Sequence, residues 1–152
     1  MIDLLSKVKI HQELLSVLLQ KEKNLENELI DLRSELSADT KSSAGDKHET
    51  SRAMNQLEQE RISEQLLELK KALNIVKGID TAKNHTRIGL GSLMQTTKGF
   101  FYLSIGHGAI KVGNQKCFCL SPVSPFGKLL IGKVSNDNII WQGEEITIMA
   151  IQ

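Results

Sequence analysis

Three carboxylates, Asp39, Asp46 and Glu49, lie in or just after the run Ser37 to Lys47 (SADTKSSAGDK), which is small, polar and interrupted by Gly45, a loop composition. Nothing apolar flanks them, so no burial would lift a carboxyl pKa into the range a general acid needs. Metal ligation suits them better. Mg2+ takes one or two protein carboxylates and fills its remaining positions with water and phosphate oxygens, so an exposed acidic pair gains a task only when another macromolecule completes the shell. The plainer alternative is capping: Asp46 precedes a helical run and Glu49 stands three residues on, the spacing of a capping box. His48 reads as a surface residue. The cations Lys41, Lys47 and Arg52 read as a solvated helix end that is also placed to touch RNA or acidic groups of a partner.

Elsewhere the residue types favour structure over catalysis. Ser124 has no GxSxG surround and no paired His and Asp, and GLGSLM lacks the GK[ST] ending of a phosphate loop. Cys117 and Cys119 alternate in a strand-like run, which points both to one face, and read as reduced core thiols. No Cys/His cluster at zinc spacing accompanies them.

The elements that must carry the acidic run are helices. From Leu4 to Leu36 a heptad seam recurs as Leu4, Val8, His11, Leu15, Leu18, Glu22, Leu25, Leu29, Leu32 and Leu36, in a segment without Gly or Pro. His11 reads as a polar residue that sets register. After the loop, Ile62, Leu66, Leu69, Leu73 and Val76 repeat the spacing, with Ala53 and Leu57 extending it toward the loop. A long apolar stripe needs a partner, and the nearest is the return arm, so an antiparallel intramolecular hairpin follows. Gly78 then fits a helix C-cap. From Arg87 the period changes to two, in short runs rich in Ile, Val, Phe, Tyr and Thr separated by Gly, Asn and Pro. Within them SPFGKLLIGK (Ser124 to Lys133) reads as a turn leading into one short helix. The expected architecture is α+β: a coiled-coil hairpin over 1–77 with a tip loop at about 37–48, a linker over 78–86, and a small antiparallel β domain over 87–152 with one short helix.

Composition agrees with two parts. The 152-residue chain carries a formal charge of +1, which excludes a strongly basic nucleic-acid binder and an acidic tail. Residues before Gly78 hold 12 Lys+Arg against 14 Asp+Glu, and the remainder 7 against 4, so any nucleic-acid contact would be local. No apolar run approaches the roughly 20 residues a spanning helix needs and no signal-peptide pattern opens the chain, so a cytoplasmic location without membrane contact is the expectation.

A two-helix coiled coil followed by a β domain containing Ser124-Pro125-Phe126-Gly127-Lys128-Leu129-Leu130-Ile131-Gly132-Lys133 resembles the bacterial Gre transcript-cleavage factors, whose C-terminal segment has the form SP-(G/A)-(K/R)-x-L-(I/L)-G-K. Gly45-Asp46-Lys47-His48-Glu49 resembles the GD-x-x-E motif at the tip of that family. The resemblance implies an FKBP-like β domain and a partner, RNA polymerase, whose secondary channel would receive the hairpin. It implies that Asp46 and Glu49 assist a polymerase-bound Mg2+ in cleaving backtracked RNA, contacting the RNA 3' end only indirectly. Partner contact would come from Ser124, Pro125, Gly127, Lys128, Leu130 and Gly132. On this reading the chain is a monomeric accessory factor that is not itself an enzyme and holds no cofactor of its own. After the acidic pair the family continues Asn-Ala, an acid and Tyr, where this chain has Thr50-Ser51-Arg52-Ala53. That difference leaves open an inhibitor acting through the same channel, beside a coiled-coil adaptor and, least favoured, a prolyl isomerase.

Overall fold

The computed structural model describes residues 6–39 and 45–152, with the side chains of 37–39 and 45–48 outside the description. By internal contacts the chain divides into two units: Val17–Leu73, and Met1–Ser16 together with Asn74–Gln152.

The first unit holds most of two helices, α1 (Lys7–Asp39) and α2 (Gly45–Lys77), each 33 residues long. Leu18, Leu25 and Leu29 of α1 and Ile62, Leu66, Leu69 and Leu73 of α2 are buried. Each such side chain contributes about 1.5–3 kcal/mol of burial, the term that holds two otherwise polar helices together. The arms are antiparallel, since Asn55 Nδ2, near the start of α2, donates to the Leu32 carbonyl near the end of α1 at 2.9 Å. The helices run further into the acidic segment than its composition suggests: their bounds leave 40–44 between them, against an expected loop at 37–48.

Along α2 the seam extends toward this turn through polar residues. Leu57 is 65% exposed and Ala53 is exposed, whereas Asn55 is buried and Gln59, half-buried, donates to Asn55 Oδ1 at 2.7 Å. Stepping back from Ile62 by three and four residues lands on Gln59 and Asn55, so the heptad continues; its occupants are amides.

The second unit is built on a six-stranded sheet: β1 (Leu93–Thr96), β2 (Gly99–Leu103), β3 (Gly108–Val112), β4 (Gln115–Leu120), β5 (Asn138–Trp141) and β6 (Glu144–Ile151), in the order β3-β4-β2-β1-β6-β5. Four of its pairings are antiparallel, but β2 and β4 are parallel, with Phe101 opposite Phe118 and Tyr102 opposite Cys119. The expected antiparallel β domain is thus antiparallel in all pairings but this one, which makes the sheet mixed. The β3–β4 hairpin turns at Gly113, whose φ is 61°, and presents its second strand to β2. The helical stretch of the Ser124 segment is α3 (Pro125–Leu130). On one face of the sheet Met94, Leu103, Ile139, Ile146 and Ile148 form a core with Leu130 of α3.

The opposite face carries Tyr102, Cys117 and Cys119, all buried, in a unit that also contains the buried Ile10, His11, Leu14 and Val76. Here the heptad expectation for α1 fails. Val8 is 43% exposed and Leu15 only half-buried, while Lys7, Ile10 and Leu14 are covered. His11 Nδ1 meets the Tyr102 hydroxyl at 2.8 Å, so this histidine bonds to the sheet and does not set helix register. Leu4 lies outside the described residues.

Candidate functional site

Two places carry the candidate functional residues. The first is the start of α2. Its first residue is Gly45, so Asp46 and Glu49 occupy positions three apart in the opening turns of the helix, and positions so spaced are neighbours on a helix surface. Carboxylates there are favoured by the partial positive charge of the helix N-terminus, which suffices to account for them as helix-starting residues. Glu49 and Arg52 are exposed. The side chains of Asp39, Asp46, Lys47 and His48, and all of Lys41, lie outside the described residues. Among the described residues no group of three or more His, Cys, Asp or Glu is placed to hold a metal ion. An exposed Glu49 three positions after an Asp fits the hard-oxygen preference of Mg2+ and offers at most part of its shell, so the donor set is compatible with a metal held mainly by another molecule. Asn55, bonded to the Leu32 carbonyl, ties the arms together six residues after Glu49. Sequence reading missed Asn55 because it counted apolar residues; its signal was the unbroken four-three spacing back from Ile62.

The second place is the segment from Ser124 to Lys133. Ser124 caps α3: its Oγ accepts from Gly127 N at 3.1 Å and donates to the Ser121 carbonyl at 2.6 Å. Pro125 follows, where a missing N–H costs nothing and the fixed φ suits a first helical turn. Gly127 is buried, and a Cβ on it would lie 2.0 Å from the Ser121 carbonyl oxygen. Leu130 is fully buried in the core, and Gly132, at φ 81°, turns the chain so that its N–H reaches the Ile88 carbonyl at 2.8 Å. Of the six residues expected to bind a partner, Ser124, Gly127, Leu130 and Gly132 therefore have demonstrable structural duties. Pro125 and Lys128 face solvent, as do the neighbouring Val123, Leu129 and Ile131.

The aromatic residues divide between the faces of the sheet. Phe118, Phe101, Phe126 and Trp141 form, in that order, a chain of ring contacts with centroids 5.9, 5.1 and 5.2 Å apart. On the other face burial pushes the His11 imidazole down and the Tyr102 phenol up, which keeps both neutral and joined by a neutral hydrogen bond. The Cys117 thiol is pushed up by its hydrogen bond with Cys119 and by burial, so neither geometry nor charge makes it a nucleophile.

No family model matches the sequence, and no curated protein matches it. One solved structure does. It is titled "Structure of the transcription factor Gfh1", is 19% identical, and aligns over 90% of this chain and 92% of its own with a TM-score of 0.37.

Proposed function

We propose that the chain is a Gre-like accessory factor of bacterial RNA polymerase that delivers the Asp46 and Glu49 carboxylates into the secondary channel. The observation that carries this reading is the position of the GD-x-x-E motif: it begins α2 at Gly45, at the turn of an antiparallel helical hairpin with 33-residue arms. An exposed carboxylate such as Glu49 suits an enzyme poorly and a donated ligand well, because it lacks the burial that would make it an acid. In the polymerase complex Asp46 and Glu49 would hold a Mg2+, which supplies a polarised water for phosphodiester hydrolysis. The chain itself would contribute these two carboxylates on a helical support. The sheet unit would bind the polymerase exterior through Pro125 and Lys128 of the exposed α3 surface. The protein acts in the cytoplasm as a monomer.

The test is co-purification with the cognate polymerase, followed by transcript cleavage in backtracked complexes. Asp46→Ala/Glu49→Ala should abolish cleavage and leave binding intact; a double variant that cleaves as the wild type does removes the tip chemistry. Arg52, exposed where the family has an acid, favours a second reading in which the same insertion inhibits. A wild-type protein that binds, slows elongation and does not stimulate cleavage would select it.

A further inference from the structure

The formal charge of +1 hides a one-signed region. Between Asp80 and Asp137 there is no carboxylate residue, while Lys83, Arg87, Lys98, Lys111, Lys116, Lys128 and Lys133 supply seven cations. Two of these lysines are directly opposed: Lys111 of β3 pairs with Lys116 of β4 in the sheet register. Like charges at directly opposed positions, with Cβ atoms about 5 Å apart, destabilise a sheet. Among the described residues neither lysine has an ion-pair partner. Two positions along β4, on the same face, Phe118 is 39% exposed, and the Lys116 ammonium sits 5.4 Å from its ring centroid. The residue opposite Phe118 is Ala109, itself exposed and too small to cover the ring. Phe118 continues inward to the half-buried Phe101 and then to Phe126, two residues before the exposed Lys128 of α3.

We infer that the outer face of β3 and β4, centred on Lys111, Lys116 and Phe118, binds single-stranded RNA. Charge complementarity selects an anion, and the aromatic ring beside the lysine pair selects one with flat faces. Phosphates neutralise the opposed lysines while a base stacks on Phe118, the combination by which sheets hold single strands without reading sequence. Edge protection would account for Lys111, because β3 ends the sheet. It does not account for Lys116 on the interior strand β4, for the open ring, or for the missing carboxylates. An acidic protein would satisfy the lysines equally but would leave the ring without a stacking partner. The site uses no residue of α2 and does not depend on the role proposed for Asp46 and Glu49.

The experiment uses the full chain and a fluorescein-labelled oligouridylate of about twelve nucleotides, with polarisation read at about 50 to about 300 mM salt. The wild type should bind, with a log–log salt slope that becomes shallower by about 1.4 in Lys111→Gln/Lys116→Gln, since each lysine released from a single strand contributes about 0.7. Phe118→Ala should weaken binding by about fivefold to about a hundredfold, and Phe118→Leu, which keeps apolar volume without a stacking face, should weaken it similarly. The control Lys21→Gln/Lys23→Gln removes the same charge from α1 and should leave binding unchanged. Absence of binding at low salt, equal loss in the α1 control, or unaltered affinity in both Phe118 variants overturns the inference. Displacement of the RNA by poly-glutamate at equal charge concentration would overturn it in favour of an acidic protein partner.

Discussion

Replacing Gly127 with alanine would place a methyl group 2.0 Å from the Ser121 carbonyl oxygen and 2.9 Å from Ser124 Oγ. Contacts that short do not survive, so either the Ser121–Ser124 turn or the first turn of α3 must move by about an ångström. Movement of the turn sacrifices the bonds from Ser124 N and Ser124 Oγ to the Ser121 carbonyl, at 3.1 and 2.6 Å. Two net hydrogen bonds at about 1 kcal/mol each and an overpacking cost of roughly 1–3 kcal/mol oppose the helix-propensity gain of about 1 kcal/mol. The expected loss is roughly 2–4 kcal/mol, or about 10–25 °C in Tm for a domain of this size. Trp141, the single tryptophan, lies in β5, so its fluorescence during urea or thermal unfolding reports the sheet unit. Gly89→Ala is the control, since a Cβ there meets nothing within 4 Å, and it should change stability by less than about 0.5 kcal/mol. A Gly127→Ala protein within about 1 kcal/mol of the wild type would refute the packing argument. If that folded variant also lost polymerase binding, Gly127 would belong to the partner surface.

Ser124→Ala should cost about 1 kcal/mol by the same fluorescence assay, the usual worth of a helix cap. Tyr102→Phe should cost roughly 1–3 kcal/mol by denaturant unfolding, because it strands a buried His11 nitrogen. His11 and His85 are both pushed down by burial, so the unfolded chain takes up protons before the folded one does. Their contribution to stability is full above about pH 6.5 and is lost as pH falls through that value toward the depressed folded pKa values. Unfolding midpoints between about pH 7.5 and about pH 5 should therefore decline, and less steeply in His11→Asn. Asn55→Leu should stabilise the hairpin by about 1 kcal/mol, as a buried leucine outweighs one net hydrogen bond. Circular dichroism at 222 nm is the measure, and a drop in melting temperature would show that the amide is needed to hold the arms.

The hairpin was largely legible because its return arm obeys a simple period: Ile62, Leu66, Leu69, Leu73 and Val76 are all buried, as the spacing required. The failures share one cause, that periodicity records which residues are apolar and not what they face. Leu57 drew the pattern away from Asn55, and Val8 was assigned a seam that passes instead through Lys7, Ile10 and Leu14. The strands were legible from alternation, but alternation does not name a strand's neighbour, so the parallel β2–β4 pairing was invisible. At the candidate site, the capping-box spacing put a helix start just after Asp46, and α2 begins slightly earlier, at Gly45. In the Ser124 segment, four of the six residues read as a partner surface are tied to the fold by the segment's own conformation. The opposed lysines could have been noticed from charge alone, had the 56 residues between the two aspartates been counted as a block.

The strand order also imposes a sequence of events on synthesis. β1 lies between β2 and β6, with Met94 opposite Ile151 and Thr97 N bonded to the Thr147 carbonyl. A nascent chain can zip α1 against α2 through contacts local to the hairpin, but β1 waits for residues some fifty positions downstream before its second edge is filled. Such non-local pairing slows closure and leaves an open strand exposed meanwhile. During that interval the arms can be complete while the sheet is not, so shortening β6 by a few residues would leave β1 a permanent edge and turn a transient hazard into a standing one.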